Sequence, residues 1–348
     1  MSQMSFFAEE FRLDRLSKMG DPLERITKTV DFEVFRPVLI SAIQKTAAAP
    51  GGRPPFDYVM MFKILLLQHW YSMADDKAEY VINDRLSFQR FLGLSLGDKV
   101  PDAKTIWLFR ENLMKSGKLK ELFDLFAQQM EKQGVITHTG SIVDASFVDA
   151  PKQWNTRDEN KRIKAGEGGD LWKDEVHKER QKDTDARWAK KNEEAHFGYK
   201  DHVKVDNKSK MIVDYSVTDA SVHDSQEIVT LIDENDVSLY ADSTYTGNEL
   251  HAEIKEKNPQ VEINIHEKGH RNRPLSKEQR KSNRTKSRIR ARVEHVFGHM
   301  TNSYGDMFLR SIGIERAKCQ IGLKNLAYNL QRYEILVRLN QVPIPEHG

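Results

Sequence analysis

The pattern of apolar and polar positions changes once along the chain, near residue 135. Up to that point apolar residues recur every three or four positions, which is the spacing of amphipathic helices. This spacing predicts helices over residues 31–44, 56–73, 75–82, 87–92, 101–113 and 118–132. A proline- and glycine-rich cluster at 47–55 predicts a loop, and Asp102 is a candidate N-cap. The first 135 residues are therefore predicted to be helical throughout.

Beyond residue 135, short apolar runs of strand length alternate with helical segments. Strands are predicted over 140–144, 197–206, 211–218, 237–242 and 261–265, and helices over 223–232, 248–257 and 314–339. A long basic helix follows Ser276, which forms a capping-box pattern with Gln279. Its apolar stripe is predicted to pack on the sheet and consists of Ile289, Val293, Val296 and Met300.

A charged segment at 151–195 separates the first two predicted strands. It contains three tryptophans, Trp154, Trp172 and Trp188, among nearly balanced charges. We predict a partly helical surface insertion that contacts substrate. Its tryptophans have two open interpretations, since exposed indoles stack on bases and buried ones anchor a segment to its domain.

The composition limits the class of protein. The chain has 348 residues, of which 39% are hydrophobic and 30% charged, enough for one large domain or two. One cysteine, Cys319, excludes a disulfide framework and favours a reducing cytoplasm. The longest apolar run, 59–67, contains a lysine and is too short to span a bilayer, and the start of the chain lacks a signal-peptide pattern. We expect a soluble cytoplasmic protein.

The formal net charge of +2 conceals an uneven distribution. Between Glu267 and Arg292 there are eleven Lys or Arg and two acids. A run of charged residues is ordinarily explained by a solvated helix face. A run with such an excess of positive charge, however, repels itself unless a polyanion neutralises it. The run favours contact with nucleic acid.

Three acids occupy positions suited to a metal-dependent nuclease. Asp144 ends the first predicted strand, Asp242 ends the fourth, and Glu294 lies on the long basic helix. Magnesium prefers oxygen ligands and is commonly held by a few carboxylates together with water or phosphate. Each acid alone is more often a cap or turn former, but the three together indicate phosphodiester chemistry. A zinc site at His295 and His299 is disfavoured because no further ligand of the usual motif accompanies them.

Residues 75–115 have two interpretations. Two short helices followed by a capped third can form a helix-turn-helix, with Lys104 and Arg110 as candidate DNA contacts. A plain helical bundle is the alternative that the pattern alone favours.

The order of elements after residue 135 resembles an RNase H-like domain, in which the first and fourth strands are neighbours. The chain as a whole resembles DDE transposases of bacterial insertion sequences, in the group named after insertion sequence five. The most specific motifs are Ala-Asp-Ser-Thr-Tyr at 241–245 and Arg-Ala-Arg-Val-Glu at 290–294. Further resembling stretches, in the same order, are 55–63, 68–72, 86–94, 100–110, 142–145 and 196–206.

The resemblance implies an α/β fold in which an all-α N-terminal domain precedes an RNase H-like mixed-sheet catalytic domain. Residues 1–135 would bind DNA ends, 136–310 would be catalytic with the insertion at 151–195, and the C-terminal helix in 311–348 would pack on the catalytic domain. Asp144, Asp242 and Glu294 would bind two Mg²⁺ ions, which Mn²⁺ could replace. Relatives carry a tyrosine and a lysine at the positions of Ser287 and Thr301, so those two contacts cannot be transferred.

The implied activity is binding of the terminal inverted repeats of the element, cleavage at its ends and joining of the 3′ hydroxyl to target DNA, by a homodimer or larger assembly. The candidate DNA contacts are Arg290, Arg288, Arg292, Lys286, Arg284, Lys200, Arg110 and Lys104. Two alternatives stay open: an RNase H-like nuclease without strand transfer, and a DNA-binding regulator derived from a transposase. The sequence does not specify the repeat, the target site or the fate of the non-transferred strand.

Overall fold

The structure is a computed structural model that describes residues 8–43, 54–191, 193–269, 274–305 and 307–342. Most of the predicted 47–55 loop and part of the basic run, including Arg271 and Arg273, lie outside the described residues. The chain divides into two compact units. A helical unit comprises Met1–Phe126 with Leu323–Gly348, and a sheet-containing unit comprises Ala127–Gly322.

The helical unit confirms the helical pattern of the first part of the chain. Aspartates cap three of its α-helices: Asp21 accepts a hydrogen bond from the Leu23 amide at 2.9 Å, Asp57 one from the Met60 amide at 2.9 Å, and Asp102 one from the Thr105 amide at 2.7 Å. Its helices are α1 (Ala8–Lys18), α2 (Pro22–Thr29), α3 (Arg36–Ile43), α4 (Tyr58–Trp70), α5 (Asp75–Asp84), α6 (Leu86–Leu92), α7 (Ala103–Ser116) and the first part of α8 (Leu119–Lys132). The apolar helix α4 is buried along most of its length.

The last helix does not pack as predicted. From Leu323 onward, α14 (Ile314–Arg338) belongs to the helical unit rather than to the catalytic region. The Trp70 indole donates to the Ala327 carbonyl at 3.0 Å, and Arg25 pairs with Glu334 at 2.8 Å. An apolar helix pattern predicts burial but not the partner, which these long-range polar contacts specify.

The second unit is built around a mixed sheet. Its strands are β1 (Ser141–Asp149), β2 (Arg187–Lys191), β3 (Glu194–Asp206), β4 (Ile212–Asp219), β5 (Ser238–Ala241) and β6 (Glu262–Ile265). Strands β1, β5 and β6 are parallel neighbours, and β3 pairs antiparallel with β1. On the side away from β1, the first residues of β3 pair with β2 and its remaining residues pair with β4.

The sheet confirms the predicted neighbourhood of the first and fourth expected strands, now β1 and β5, and thereby the RNase H-like order. Two boundaries differ from the prediction. Strand β1 continues to Asp149, so Asp144 lies in mid-strand rather than at its end, and the predicted insertion contributes β2 to the sheet. Long antiparallel pairing of β1 with β3 accounts for both changes, because it extends the ladder beyond the apolar run.

Gly198 permits this pairing. It lies where β3 meets both β1 and β2, and its φ is +154°. A Cβ there would lie 2.3 Å from the Val148 carbonyl oxygen, a contact that backbone atoms cannot relieve without separating the strands.

The helices of this unit are α9 (Arg157–Lys164), α10 (Val176–Glu179), α11 (Ile228–Leu231), α12 (Asn248–Lys257) and α13 (Lys277–Ser303). The predicted capping box of Ser276 and Gln279 is present at the start of α13. Val293, Val296 and Met300 are fully buried where α13 packs on the sheet, which confirms three members of the predicted apolar stripe, and the fourth, Ile289, is half-buried. None of the described helices is both long and apolar enough to span a membrane.

Candidate active site

The parallel pairing of β1 with β5 brings Asp144 and Asp242 together. Ser141 lies opposite Leu239 and Ile142 opposite Tyr240. Continuing this register by two residues places Asp144 opposite Asp242, on strands about 4.8 Å apart. The two aspartates, ninety-eight positions apart in the sequence, thus lie side by side on neighbouring strands, at the point where β5 ends and β1 continues.

Asp242 is held by the turn that follows β5. It caps the short 3-10 helix Ser243–Tyr245, and its Oδ1 accepts bonds from the Thr244 amide, at 2.7 Å, and from the Thr244 hydroxyl. Both bonds go to one carboxylate oxygen, so the turn fixes the orientation of the side chain.

Arg290 connects the remaining acid to this pair. Its guanidinium donates to Asp144 Oδ2 at 2.8 Å and to Glu294 Oε1 at 2.9 Å. The Asp144 side chain is 16% exposed and that of Glu294 61% exposed, so the three groups extend from the sheet towards solvent. Helix α13 therefore brings Glu294 to Asp144 through a shared arginine.

The electrostatics of the site favour a cation. Burial raises the pKa of Asp144, and the negative charge of Asp242 raises it further, against the opposing charge of Arg290 and the Ala145 amide. Two of the three carboxylates, Asp144 and Glu294, share one arginine, and Asp242 adds a third negative charge beside them. A set of oxygen donors with excess negative charge fits a hard divalent ion such as Mg²⁺ or Mn²⁺.

A buried hydroxyl beneath the site supports this fit. Tyr245 is fully buried, and its hydroxyl has no hydrogen-bond partner among the described residues. Burial raises its pKa well above the usual range, and the charges of Asp144, Asp224 and Asp242 act in the same direction. A neutral hydroxyl without a partner near these carboxylates is a donor for water or for an acid oxygen of the site.

His266 is a contributor that the sequence reasoning missed. One ring nitrogen contacts the Ala241 carbonyl at 3.1 Å, and the other contacts the Ser287 hydroxyl at 2.9 Å. His266 therefore joins the end of β5, just before Asp242, to the start of the turn of α13 that carries Arg290. Ser287, where relatives have a tyrosine, has this role in holding α13. The sequence feature that could have identified His266 is its position directly after the last predicted strand.

The predicted DNA contacts fall into two groups. Arg284, Arg288 and Lys104 are exposed. The others are already bound within their own unit. Lys286 donates to the Ile265 carbonyl at 2.8 Å and Arg292 to the Asn207 carbonyl at 2.7 Å.

Lys200 and Arg110 each form an ion pair with an aspartate of their own unit. Lys200 is buried and donates to Asp224 at 2.8 Å and to the Val222 carbonyl at 2.6 Å. Arg110 pairs with both carboxylate oxygens of Asp75, at 2.9 and 2.7 Å. These partners give both residues a structural role, and a DNA role for either would require those bonds to break.

A second group of possible metal ligands lies before the starts of β1 and β5. His138, Asp233 and Asp236 have ligand atoms within 4.8 Å of one another. However, the Lys204 ammonium already lies 2.5 Å from Asp233 and 3.2 Å from Asp236, and it is 1% exposed. Lysine thus occupies the position of the cation, and we interpret this group as a structural ion network.

Comparison with known proteins identifies the family of the chain. The family described as "Transposase DDE domain" matches residues 136–330, more than half of the chain. The chain belongs to the DDE transposases. A second family, "Transposase domain (DUF772)", matches residues 11–112 in the helical unit. The narrower insertion-sequence-five group stays a prediction.

Among solved structures, the transposase is similar to one entitled "Cryo-EM structure of piggyBac transposase synaptic complex with hairpin DNA (SNHP)". The identity is 12% and the TM-score 0.47, over 95% of this chain and 78% of the other. Family membership makes the chain an enzyme of DNA cleavage and strand transfer, in a family that uses divalent metals, and makes DNA its partner.

Proposed function

We propose that this transposase binds the terminal inverted repeats of its own insertion sequence, cleaves at the ends and joins the freed 3′ hydroxyl to target DNA. Asp144, Asp242 and Glu294 are the catalytic acids and hold two Mg²⁺ ions. The observation that carries the proposal is the parallel register of β1 and β5, together with the arginine that links Asp144 to Glu294.

The reaction has two displacements at phosphorus. Water first attacks the phosphodiester at the end of the element, and the P–O bond to the 3′ oxygen breaks, which leaves a 3′ hydroxyl and a 5′ phosphate. This 3′ hydroxyl then attacks a phosphodiester of target DNA and displaces the 3′ oxygen of the target strand. Metal ions bound by the three acids would activate the attacking oxygen and neutralise charge on the leaving oxygen. No covalent enzyme intermediate is required, so no side-chain nucleophile is needed.

The residues of the chain supply position and charge. The Thr244 bonds orient Asp242, and the His266 contacts hold α13 against the end of β5. Arg290 balances the acids before the cations bind, and its guanidinium is then available for a phosphate oxygen. The exposed Arg284, Arg288 and Lys104 are the first candidates for contacts with the DNA backbone, and the bound Arg292, Lys286, Lys200 and Arg110 come after them.

Two further properties follow from this activity. Two element ends must be brought together, so the assembly on DNA is at least a homodimer. Binding that depends on phosphate contacts weakens steeply with salt, by roughly one unit of slope in the logarithmic plot for each contact.

The direct test uses purified protein, Mg²⁺ and a duplex that ends in the inverted repeat flanking the coding sequence. Asp144→Asn, Asp242→Asn and Glu294→Gln should abolish both cleavage and joining. Glu253→Gln is the matched control, because Glu253 is an exposed acid of the same unit on α12, and it should act as the wild type does.

The products also separate the competing functions. Joined products support the transposase reaction. Nicks without joined products would indicate a nuclease, and repeat binding without cleavage would indicate a regulator. Full activity of Asp144→Asn would refute the assignment of the site.

A further inference from the structure

The three tryptophans of the 151–195 segment have different surroundings. Trp172 is 3% exposed and donates to Glu159 at 2.9 Å, so it anchors the segment. Trp188 is 46% exposed, and its ring packs on Phe197 at 5.1 Å. Trp154 is 93% exposed, and its indole has no hydrogen bond or ring contact with any residue that the structure describes. Trp154 is therefore the most exposed of the three.

The backbone beside Trp154 is held firmly on both sides. Gln153 exchanges two hydrogen bonds with the backbone of Asp183, at 2.5 and 3.0 Å. The Lys182 ammonium donates to the Trp154 carbonyl at 2.5 Å and to Asn155 at 2.7 Å.

Asp183 in turn accepts two bonds from the Tyr199 hydroxyl, at 2.9 and 2.8 Å, which ties it to β3. Immediately after Asn155, Thr156 and Glu159 form a capping box at the start of α9. The indole is therefore displayed on an ordered support connected to the sheet.

The sheet topology places Trp154 on the side of the active site. Strands β1 and β5 are parallel, so β1 continues past Asp144 in the direction in which β5 ends at Ala241, and the chain leaves β1 after Asp149. Trp154 comes ten residues after Asp144, which limits their separation to about 35 Å even for a fully extended chain. DNA held at the acids can extend over that distance.

The charges around Trp154 favour DNA as the partner. Among its exposed neighbours in the sequence, Lys152, Arg157 and Lys161 are basic and Asp158 is acidic, so positive charge is in excess. Of the nearby acids, Glu159 is already bound to Trp172 and Lys178. An aromatic ring flanked by cations is the arrangement by which proteins hold unpaired bases, the ring stacking on the base and the cations meeting the backbone.

We propose that Trp154 stacks on an unpaired base of DNA bound at the active site, and thereby favours ends whose terminal pairs are open. The proposal rests on the proposed function for the position of the DNA. It assigns different tasks to tryptophans of one segment, with Trp172 as the anchor and Trp154 as the base contact.

The test compares two duplexes of the terminal repeat, one fully paired and one with a few unpaired adenines at the cleaved end. Binding to the full-length protein is measured by fluorescence anisotropy without divalent metal. Trp154→Ala should weaken binding of the open end by about five- to hundredfold, the range for loss of one stacked base. Binding of the paired duplex should stay unchanged, and Trp154→Phe should restore most of the preference.

Val176→Ala is the matched control, because Val176 is also an exposed apolar residue of this segment, 48% exposed. It should bind both duplexes as the wild type does. A fluorescent 2-aminopurine in the open end should be quenched by the wild type and by Trp154→Phe, but not by Trp154→Ala.

Three results would overturn the proposal: equal binding of the open end by Trp154→Ala and wild type, equal loss for both duplexes, or a smaller assembly of Trp154→Ala in light scattering without DNA. The last would show that the indole contacts a second copy of the chain. Asp144→Asn distinguishes the two proposals. If it still cleaved, the proposed function would fail while the preference for open ends could still be measured.

Discussion

Two groups of acidic residues lie at opposite ends of β5, and they differ in how their charge is balanced. At one end, Arg290 pairs with Asp144 and Glu294, and Asp242 lies beside Asp144. At the other, Asp233 and Asp236 meet Lys204 and His138, and both Lys204 and Asp236 are almost completely buried. We call the first group the acid triad and the second the buried ion network.

The pKa of one aspartate in each group, Asp144 and Asp236, is shifted, and the two shifts have opposite directions. For Asp236, burial favours the neutral form, but the hydrogen bond to His138 and the charge of Lys204 outweigh it and lower the pKa. For Asp144, burial dominates and the pKa is raised although Arg290 is present. In the buried ion network the charge of the aspartates is thus neutralised by residues of the protein, whereas in the acid triad negative charge remains for a bound cation. This is how a metal site differs from a structural ion network.

The largest expected effect separates activity from stability. Asp144→Asn should reduce strand transfer by about a thousandfold or more, while changing the free energy of unfolding by less than about 1 kcal/mol. Asp236→Asn should show the reverse, with lower stability and normal activity in the folded fraction. Strand-transfer assays and urea unfolding of both variants check this, and a large stability loss in Asp144→Asn would contradict the comparison.

Removal of the central cation should affect the two groups unequally. Lys204→Met leaves Asp236 buried without its ammonium partner, so the free energy of unfolding should fall by about 3–5 kcal/mol. Arg290→Met, at a partly exposed position, should cost no more than about 1 kcal/mol. Denaturant unfolding measures both, and similar losses would show that Arg290 is also a structural residue.

Arg290 and the metal should compete for the acids. Arg290→Gln should increase the affinity for Mn²⁺ without DNA by about fivefold, since a partly exposed ion pair of about 1 kcal/mol no longer has to be broken. Titration calorimetry measures this, with Arg288→Gln as the control because Arg288 is exposed on the same helix. Weaker Mn²⁺ binding by Arg290→Gln would mean that the arginine organises the acids rather than competing for them.

The smallest expected effect is a pH dependence of stability at His138. The hydrogen bond with Asp236 raises the pKa of His138, and Asp233 and Glu131 act in the same direction against burial. A group whose pKa is raised by folding contributes its full stabilisation of the folded state at pH values below its unfolded pKa, which is near 6.5 for histidine. This contribution is lost as the pH rises through the pKa of the folded state. The melting temperature should therefore fall over that window, and His138→Gln should remove this component. An unchanged profile in His138→Gln would refute it.

Much of the local structure could be predicted from the sequence. The capping positions Asp102 and Ser276 and the apolar stripe of α13 are local patterns, and the structure shows them as expected. The order of strands and helices, combined with the family motifs, also led to the neighbourhood of β1 and β5. The catalytic and DNA-binding roles of individual residues stay predictions that the experiments above address.

The sequence by itself determined which residues form helices and strands, and which three acids stand at suitable elements, because capping and periodicity act over a few neighbouring residues. The tertiary structure decided what depends on distant partners. It set the register that aligns Asp144 with Asp242 and assigned Lys204 to one acidic group and Arg290 to the other. It also placed the end of α14 against the helical unit. These contacts join residues far apart in the chain, and their free energies depend on burial and geometry that no local pattern specifies.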